Sequence, residues 1–232
     1  MPETQSLLFE LSWEVCNQVG GIYTVLKTKA AEVKKQFHDN YYCLGPLTDN
    51  PTEFIDFTEL EEWVDIKSIL DELDCCYKYG YWDIPGKPKV ILLSFDKHHH
   101  TSELLHTYWD VYKLDTYNAS SDIVHPIIFS SLCAQFISAY KQEIDLDKNI
   151  IAHAHEWMTG CSILHINMHN VAVSTVFTTH ATVTGRSFAS HQQHLNFQES
   201  TSSQIAQKYQ VQIKHNIEKL SALQANCFTC VS

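Results

Sequence analysis

Three short stretches gather residue types that could do chemistry. Asn17-Gln18-Val19-Gly20-Gly21 precedes a helical pattern starting at Ile22. Paired glycines let a backbone come close to a ligand, and a helix start directs free N–H groups and a positive dipole end at it, which suits a diphosphate. The same pair also makes an ordinary tight turn. His153-Ala154-His155-Glu156-Trp157 falls where a strand pattern gives way to a helix. His153 and His155 share one strand face, which raises a zinc reading. His165 and His169 also lie one helical turn apart, but Ile166 stands where a metalloprotease helix carries its glutamate, and no third-ligand pattern follows. Polar pocket residues with no metal are therefore the expectation.

The third stretch is Thr178-Thr179-His180-Ala181-Thr182-Val183-Thr184-Gly185-Arg186. A neutral imidazole can donate to or accept from a sugar hydroxyl, and a guanidinium holds phosphate oxygens two at a time. Of sixteen Lys and Arg residues, Arg186 is the single arginine, so a fork of donors sits at one place only. The bland alternative is a capped strand-to-helix turn with a surface ion pair. Asp145-Leu146-Asp147 has the look of a metal-binding DxD, but it precedes a strand instead of ending one and reads as a solvated loop. Cys227 and Cys230 have CxxC spacing, yet on a strand they face opposite ways.

These residues need elements to hold them. Residues 6–12 read as a strand and Ile22 to Phe37 as a helix, followed by a strand over 40–44 ended by Gly45-Pro46. That makes one βαβ unit. Residues 57–73 read as an acidic helix, 77–82 as extended and 89–95 as a strand. Ser121 and Asp122 suit the cap of a helix that places Phe129, Leu132, Cys133, Phe136, Ile137 and Tyr140 on one face. Strands at 149–153, 171–177 and 226–232 alternate with helices at 157–168 and, mainly, 200–222. The alternation predicts an α/β fold, a Rossmann-like doubly wound and mostly parallel sheet. The three stretches then fall at its carboxyl edge, where open α/β sheets bind ligands.

Composition narrows the partners. The chain has 232 residues, 44% hydrophobic and 19% charged, with a formal net charge of −11. That charge argues against nucleic acid, which needs a basic stripe, and against anionic membrane surfaces. The longest apolar stretch, Ile123 to Tyr140, is broken by His125, Pro126, Ser130, Ser131 and Gln135, so no membrane span is expected. No signal-peptide pattern opens the chain, and eight cysteines in mostly apolar segments read as buried thiols of a cytoplasmic protein.

In order and spacing, residues 8–26, Asp39-Asn40-Tyr41-Tyr42, Ala152 to Trp157, Phe177 to Thr182 with Gly185-Arg186, and Phe228 to Ser232 resemble the eukaryotic-type glycogen (starch) synthases, glycosyltransferase family 3. The resemblance implies the first part of a two-domain GT-B enzyme: residues 1–232 as an incomplete N-terminal Rossmann-like domain, without the second, donor-binding domain. It implies retaining transfer of glucose from UDP-glucose to the 4-hydroxyl of an α-1,4-glucan, with no cofactor or essential metal, by a chain inactive alone. Gly20 and Gly21 should then approach the diphosphate and glucose, His180 the transferred glucose and Arg186 the donor. Glu156 would be the acidic catalytic residue of the cleft beside His180, with Gln18 and His155 as further substrate-binding residues. The family usually carries lysine at Gln18, a change costing about 1.5–3 kcal/mol of charge-assisted contact. Glycogenin, the self-glucosylating primer, and a homo-oligomeric state when full length are further implications. A truncated, non-catalytic partner-binding module is the alternative.

Overall fold

The computed structural model describes residues 6–56, 64–73, 75–96, 100–144, 148–191 and 201–231. They form one eight-stranded sheet flanked by helices on both faces. In chain order the elements are β1 (Leu7–Leu11), α1 (Gly21–Phe37), β2 (Tyr41–Pro46), β3 (Phe54–Asp56), α2 (Val64–Glu72), β4 (Tyr77–Trp82), β5 (Lys89–Leu93), α3 (Thr101–Tyr112), α4 (Ser121–Glu143), β6 (Ile150–His155), α5 (Trp157–Met168), β7 (Ser174–Thr179), α6 (Val183–Ser190), α7 (Ser202–Lys208), α8 (Gln212–Gln224) and β8 (Cys227–Cys230). A single 3-10 turn (His38–Asn40) links α1 to β2. The strand order is β3-β4-β5-β2-β1-β6-β7-β8. Six strands from β5 to β8 run parallel, and β4 and β3 add an antiparallel edge.

Register explains the two-sided core. Strand residues alternate faces, so Leu7, Phe9 and Leu11 join Tyr42, Leu44, Ile91, Ile150 and Ala152 beneath α2 and α4. Leu8, Tyr41, Cys43, Val90 and Leu92 pack on the opposite face against Ile22, Tyr23, Leu26 and Ala30 of α1. Phe129, Leu132, Cys133, Phe136, Ile137 and Tyr140 of α4 are all buried. α4 is the one described helix long and apolar enough to cross a membrane, but most of it is buried in this core.

The crossover from β1 to β2 runs one way along the sheet, with α1 on one face. The crossover from β6 to β7 runs the other way, with Ile163 of α5 beside Ala154 and Phe177. Adjacent β1 and β6 therefore form the topological switch point, whose carboxyl edge is the binding crevice of such sheets.

Several boundaries differ from expectation. β2 continues through Gly45 and Pro46, which pair with Leu92 and Leu93; proline at a strand's end costs one donor only. The cap position of α4 is Ser120, with Ser121 and Asp122 inside the first turn. β7 starts at Ser174, because Val171 N–H still bonds Ile166 O at the end of α5. β3, α3 and α6 are elements that periodicity did not single out. Residues 57–63 of the expected acidic helix and the 145–147 acidic loop lie outside the described residues. Cys227 and Cys230 pair with Val176 and Thr179 on alternate faces, and all eight cysteines are free thiols.

Candidate functional site: a crevice at the carboxyl edge

β1, β6 and β7 are parallel, so their carboxyl ends share one edge. The loop carrying Gln18, Gly20 and Gly21 follows β1, His155 ends β6, and His180 follows β7 directly. Each loop is organised by a buried carboxylate.

In the first loop, Glu14 Oε2 accepts from Gly20 N–H and Tyr23 N–H, both at 2.8 Å. An internal anion thus sits on the first turn of α1. A Cβ at Gly20 would come within 3.0 Å of Glu14 Oε1, whereas one at Gly21 would meet open space. Gly20 makes room for Glu14, and Gly21 leaves room outside. Neither Gly21 N–H nor Ile22 N–H has a partner among the described residues, so these two donors remain for a ligand. Gln18 is exposed.

In the loop after β6, Glu156 takes φ 67° and ψ 168°, a region that favours glycine. Its buried carboxylate accepts from His180 N–H at 2.6 Å and Ala181 N–H at 3.0 Å, and Arg186 Nη2 lies 3.4 Å away. Glu156 therefore shapes the next loop and steadies the arginine, whose side chain stays 58% exposed. In that loop Thr182 caps α6 by accepting from Gly185 N–H at 3.1 Å. Glu218 of α8 accepts from Val183 N–H and the Thr179 hydroxyl; burial raises its pKa against those bonds. The capped turn and the ion pair of the bland alternative are both present, yet the exposed guanidinium makes no ion pair with a second acid among the described residues.

Beneath the edge lies a charged network. Glu10, fully buried in β1, accepts from Tyr41 Oη and pairs with Lys29 of α1. His155 Nε2 lies 2.8 Å from Glu10 Oε1, and His155 Nδ1 lies 3.0 Å from His180 Nε2. His153 stacks on His155 at 4.2 Å and bonds the Thr178 hydroxyl through Nε2 at 2.7 Å. Burial alone would raise the Glu10 carboxyl, but the hydrogen bond from His155 and the Lys29 ammonium reverse this and hold it well below the usual range. Burial, then His155, push His153 down to about 3 and His180 down to about 4. Burial lowers His155 as well. The three imidazoles are neutral near pH 7.

Glu10, His153 and His155 also bring ligand-type atoms within 4.8 Å of one another, the one such group among the described residues. A metal ion there would have to displace the Lys29 ammonium from a carboxylate that already accepts from Tyr41 and His155. The donor set fits a buried charge and proton network better than a metal centre.

A cavity of about 210 Å³ opens between the loops, lined by Glu14, Ile22, Glu156, Ala181, Arg186 and Lys214 among others. A larger hollow of about 610 Å³ lies against α3, bordered by Trp109, Asp115 and Tyr117, and shares no residue with the three loops. Glu10, Glu14, Lys29 and Glu218 were missed as site residues. The one visible signal was Glu10, an acid inside an apolar strand pattern, which requires a buried partner.

Fold and crevice define a Rossmann-like α/β unit with a polar cleft at its switch point. The sequence profile of the glycogen synthase family matches residues 10–232. Curated relatives are glycogen [starch] synthase of Dictyostelium discoideum, 33% identical over 100% of this chain and 26% of its own length; isoform 1 of Saccharomyces cerevisiae, 32% over 97% and 34%; and the human liver enzyme, 30% over 100% and 34%. The chain belongs to the glycogen synthase family. It spans about a quarter to a third of the length of these relatives. A solved structure, the catalytic domain of Starch Synthase IV from Arabidopsis thaliana bound to ADP and acarbose, aligns with a TM-score of 0.44 at 16% identity, over 76% of this chain and 34% of that one.

Proposed function

We propose that these residues form one wall of the donor cleft of a glycogen synthase, which transfers glucose from UDP-glucose, with retention, to the 4-hydroxyl of a growing α-1,4-glucan. The observation that carries the reading is the meeting, at one switch point, of an open α1 start at Gly21, a neutral imidazole at His180 and an exposed guanidinium at Arg186. In this reading Arg186 and the Gly21 and Ile22 N–H groups take the anionic part of the donor, and His180 takes a hydroxyl of the glucose. Glu14 Oε2 and Glu156 Oε1 hold the loops through backbone N–H groups, and Glu156, which also borders the cavity, is the acidic catalytic residue of this reading beside His180. No metal or cofactor is needed in this wall. The setting is cytoplasmic, which eight free thiols favour. Glycogenin and further copies of the chain are the proposed protein partners.

The test is a titration of the chain with UDP-glucose, followed through the backbone resonances of Gly21, His180 and Arg186. All three should shift along one saturation curve. Shifts confined to the hollow beside α3, or none at millimolar ligand, would refute the assignment.

A further inference from the structure

Glu10 and His155 face no solvent, yet their hydrogen bonds lead to His180 at the crevice. An ionised carboxylate only accepts, and Glu10 is surrounded by donors: the Tyr41 hydroxyl, the Lys29 ammonium and His155 Nε2 at 2.8 Å. A proton must therefore sit on His155 Nε2. A neutral His155 then has a lone pair at Nδ1, 3.0 Å from His180 Nε2, and that contact needs a proton on His180 Nε2. One arrangement of protons satisfies both contacts with neutral rings.

We propose that Glu10, acting through His155, fixes His180 as its Nε2–H tautomer and so leaves Nδ1 as the proton acceptor of the half-buried ring. No described residue engages His180 Nδ1, and the ring is half-buried. Glu10 and His155 are positioning residues in this scheme. The chemical consequence rests on the donor-cleft reading above: the group His180 meets must be a hydroxyl that donates. A carboxylate or phosphate at the same place has no proton to give and would face a lone pair. The tautomer itself does not depend on that reading, so the two can fail separately. The depressed pKa values of His155 and His180 keep both rings neutral at the pH where the tautomer matters.

The experiment is nitrogen-15 spectroscopy of the full 232-residue chain labelled at histidine, near pH 7.5, with no ligand. Long-range proton–nitrogen correlations report which ring nitrogen carries the proton. His155 and His180 should each show a protonated Nε2 and a bare Nδ1. An Nδ1–H tautomer at His180 would overturn the proposal. In Glu10→Ala the acceptor is gone, so both rings should shift from one tautomer towards a mixture. Retention of a pure Nε2–H form at both would also overturn it. If Glu10→Ala does not fold, His155→Phe cuts the same link and is read at His180 alone, with the same expectation and the same refuting result. A merely structural Glu10 would alter stability without moving these nitrogen signals.

Discussion

Glu156 offers a prediction in which side chain and backbone can be separated. Its carboxylate accepts from two loop N–H groups, of His180 and Ala181. Its backbone stands at φ 67°, in a region costing about 1–3 kcal/mol for a residue with a Cβ. Glu156→Ala removes the acceptor and keeps the strain. Two N–H groups lose their partner at about 1–3 kcal/mol each, so the loss should be about 2–6 kcal/mol, at the lower end if water reaches them. Glu156→Gly loses the same acceptor but sheds the strain. It should be more stable than the alanine variant by about 1–3 kcal/mol and still less stable than the parent. The usual cost of glycine flexibility, about 0.5–1 kcal/mol, trims this margin to a net of about 0–2.5 kcal/mol. Urea unfolding of the three proteins, at equal m-value, measures the order. An alanine variant more stable than the glycine variant would show that the backbone is unstrained and the reasoning wrong.

Arg186→Lys should lose part of the affinity for UDP and Arg186→Ala more, several-fold to about a hundredfold or about 1–3 kcal/mol; calorimetry giving equal affinities would make Arg186 a structural cap held by Glu156. The 232 residues alone should transfer no glucose from radiolabelled UDP-glucose to glycogen, and label above a no-protein control would contradict this. Half-buried His153 and His180, at about 3 and 4, and buried His165, at about 4, lie below the ~6.5 of an unfolded chain. Between those values the unfolded state binds more protons, so stability should fall as pH drops from about 6.5 towards 4. The lowered pKa of Glu10 extends the loss to more acidic pH. Urea midpoints across that range test the slope, which His165→Gln should make shallower.

The parts of the fold legible in the sequence are those with a strong local period. α5 begins and ends where its pattern does, at Trp157 and Met168, since twelve apolar-rich residues between two strands leave little choice. α3 was not legible: its residues include Tyr108, Trp109 and Tyr112, which suit strands as well as helices. β3 has three residues, too few for any alternation to register. In the crevice, His180, Arg186 and the glycine loop stood out because their residue types are unusual at strand ends. Glu218 did not. It sits in a polar helical stretch and reads as solvated until α8 is folded against the loop after β7. Glu14 was hidden for another reason. Gly20 looked like an approach for a ligand, and only coordinates distinguish an outside anion from one supplied six residues earlier.

The pairing of Glu10 with His155 spans 145 residues, and this bears on how the chain can be made. Synthesis delivers β1 first. Lys29 and Tyr41 follow soon after, so a nascent βαβ unit can already surround the carboxylate with two donors. His155 arrives on the order of ten seconds later, at about 5–20 residues per second on the ribosome. Until then the amino-terminal strands have an open edge where β6 will pair, and a buried acid with one donor missing. An early intermediate ending before residue 150 is thus held together on one side and unpaired on the other. The insertion of β6 closes that edge and completes the polar network in a single event. Ribosome-bound chains stalled before and after residue 155 should differ sharply in protease resistance at β1 and β2, with little change as α1 alone emerges.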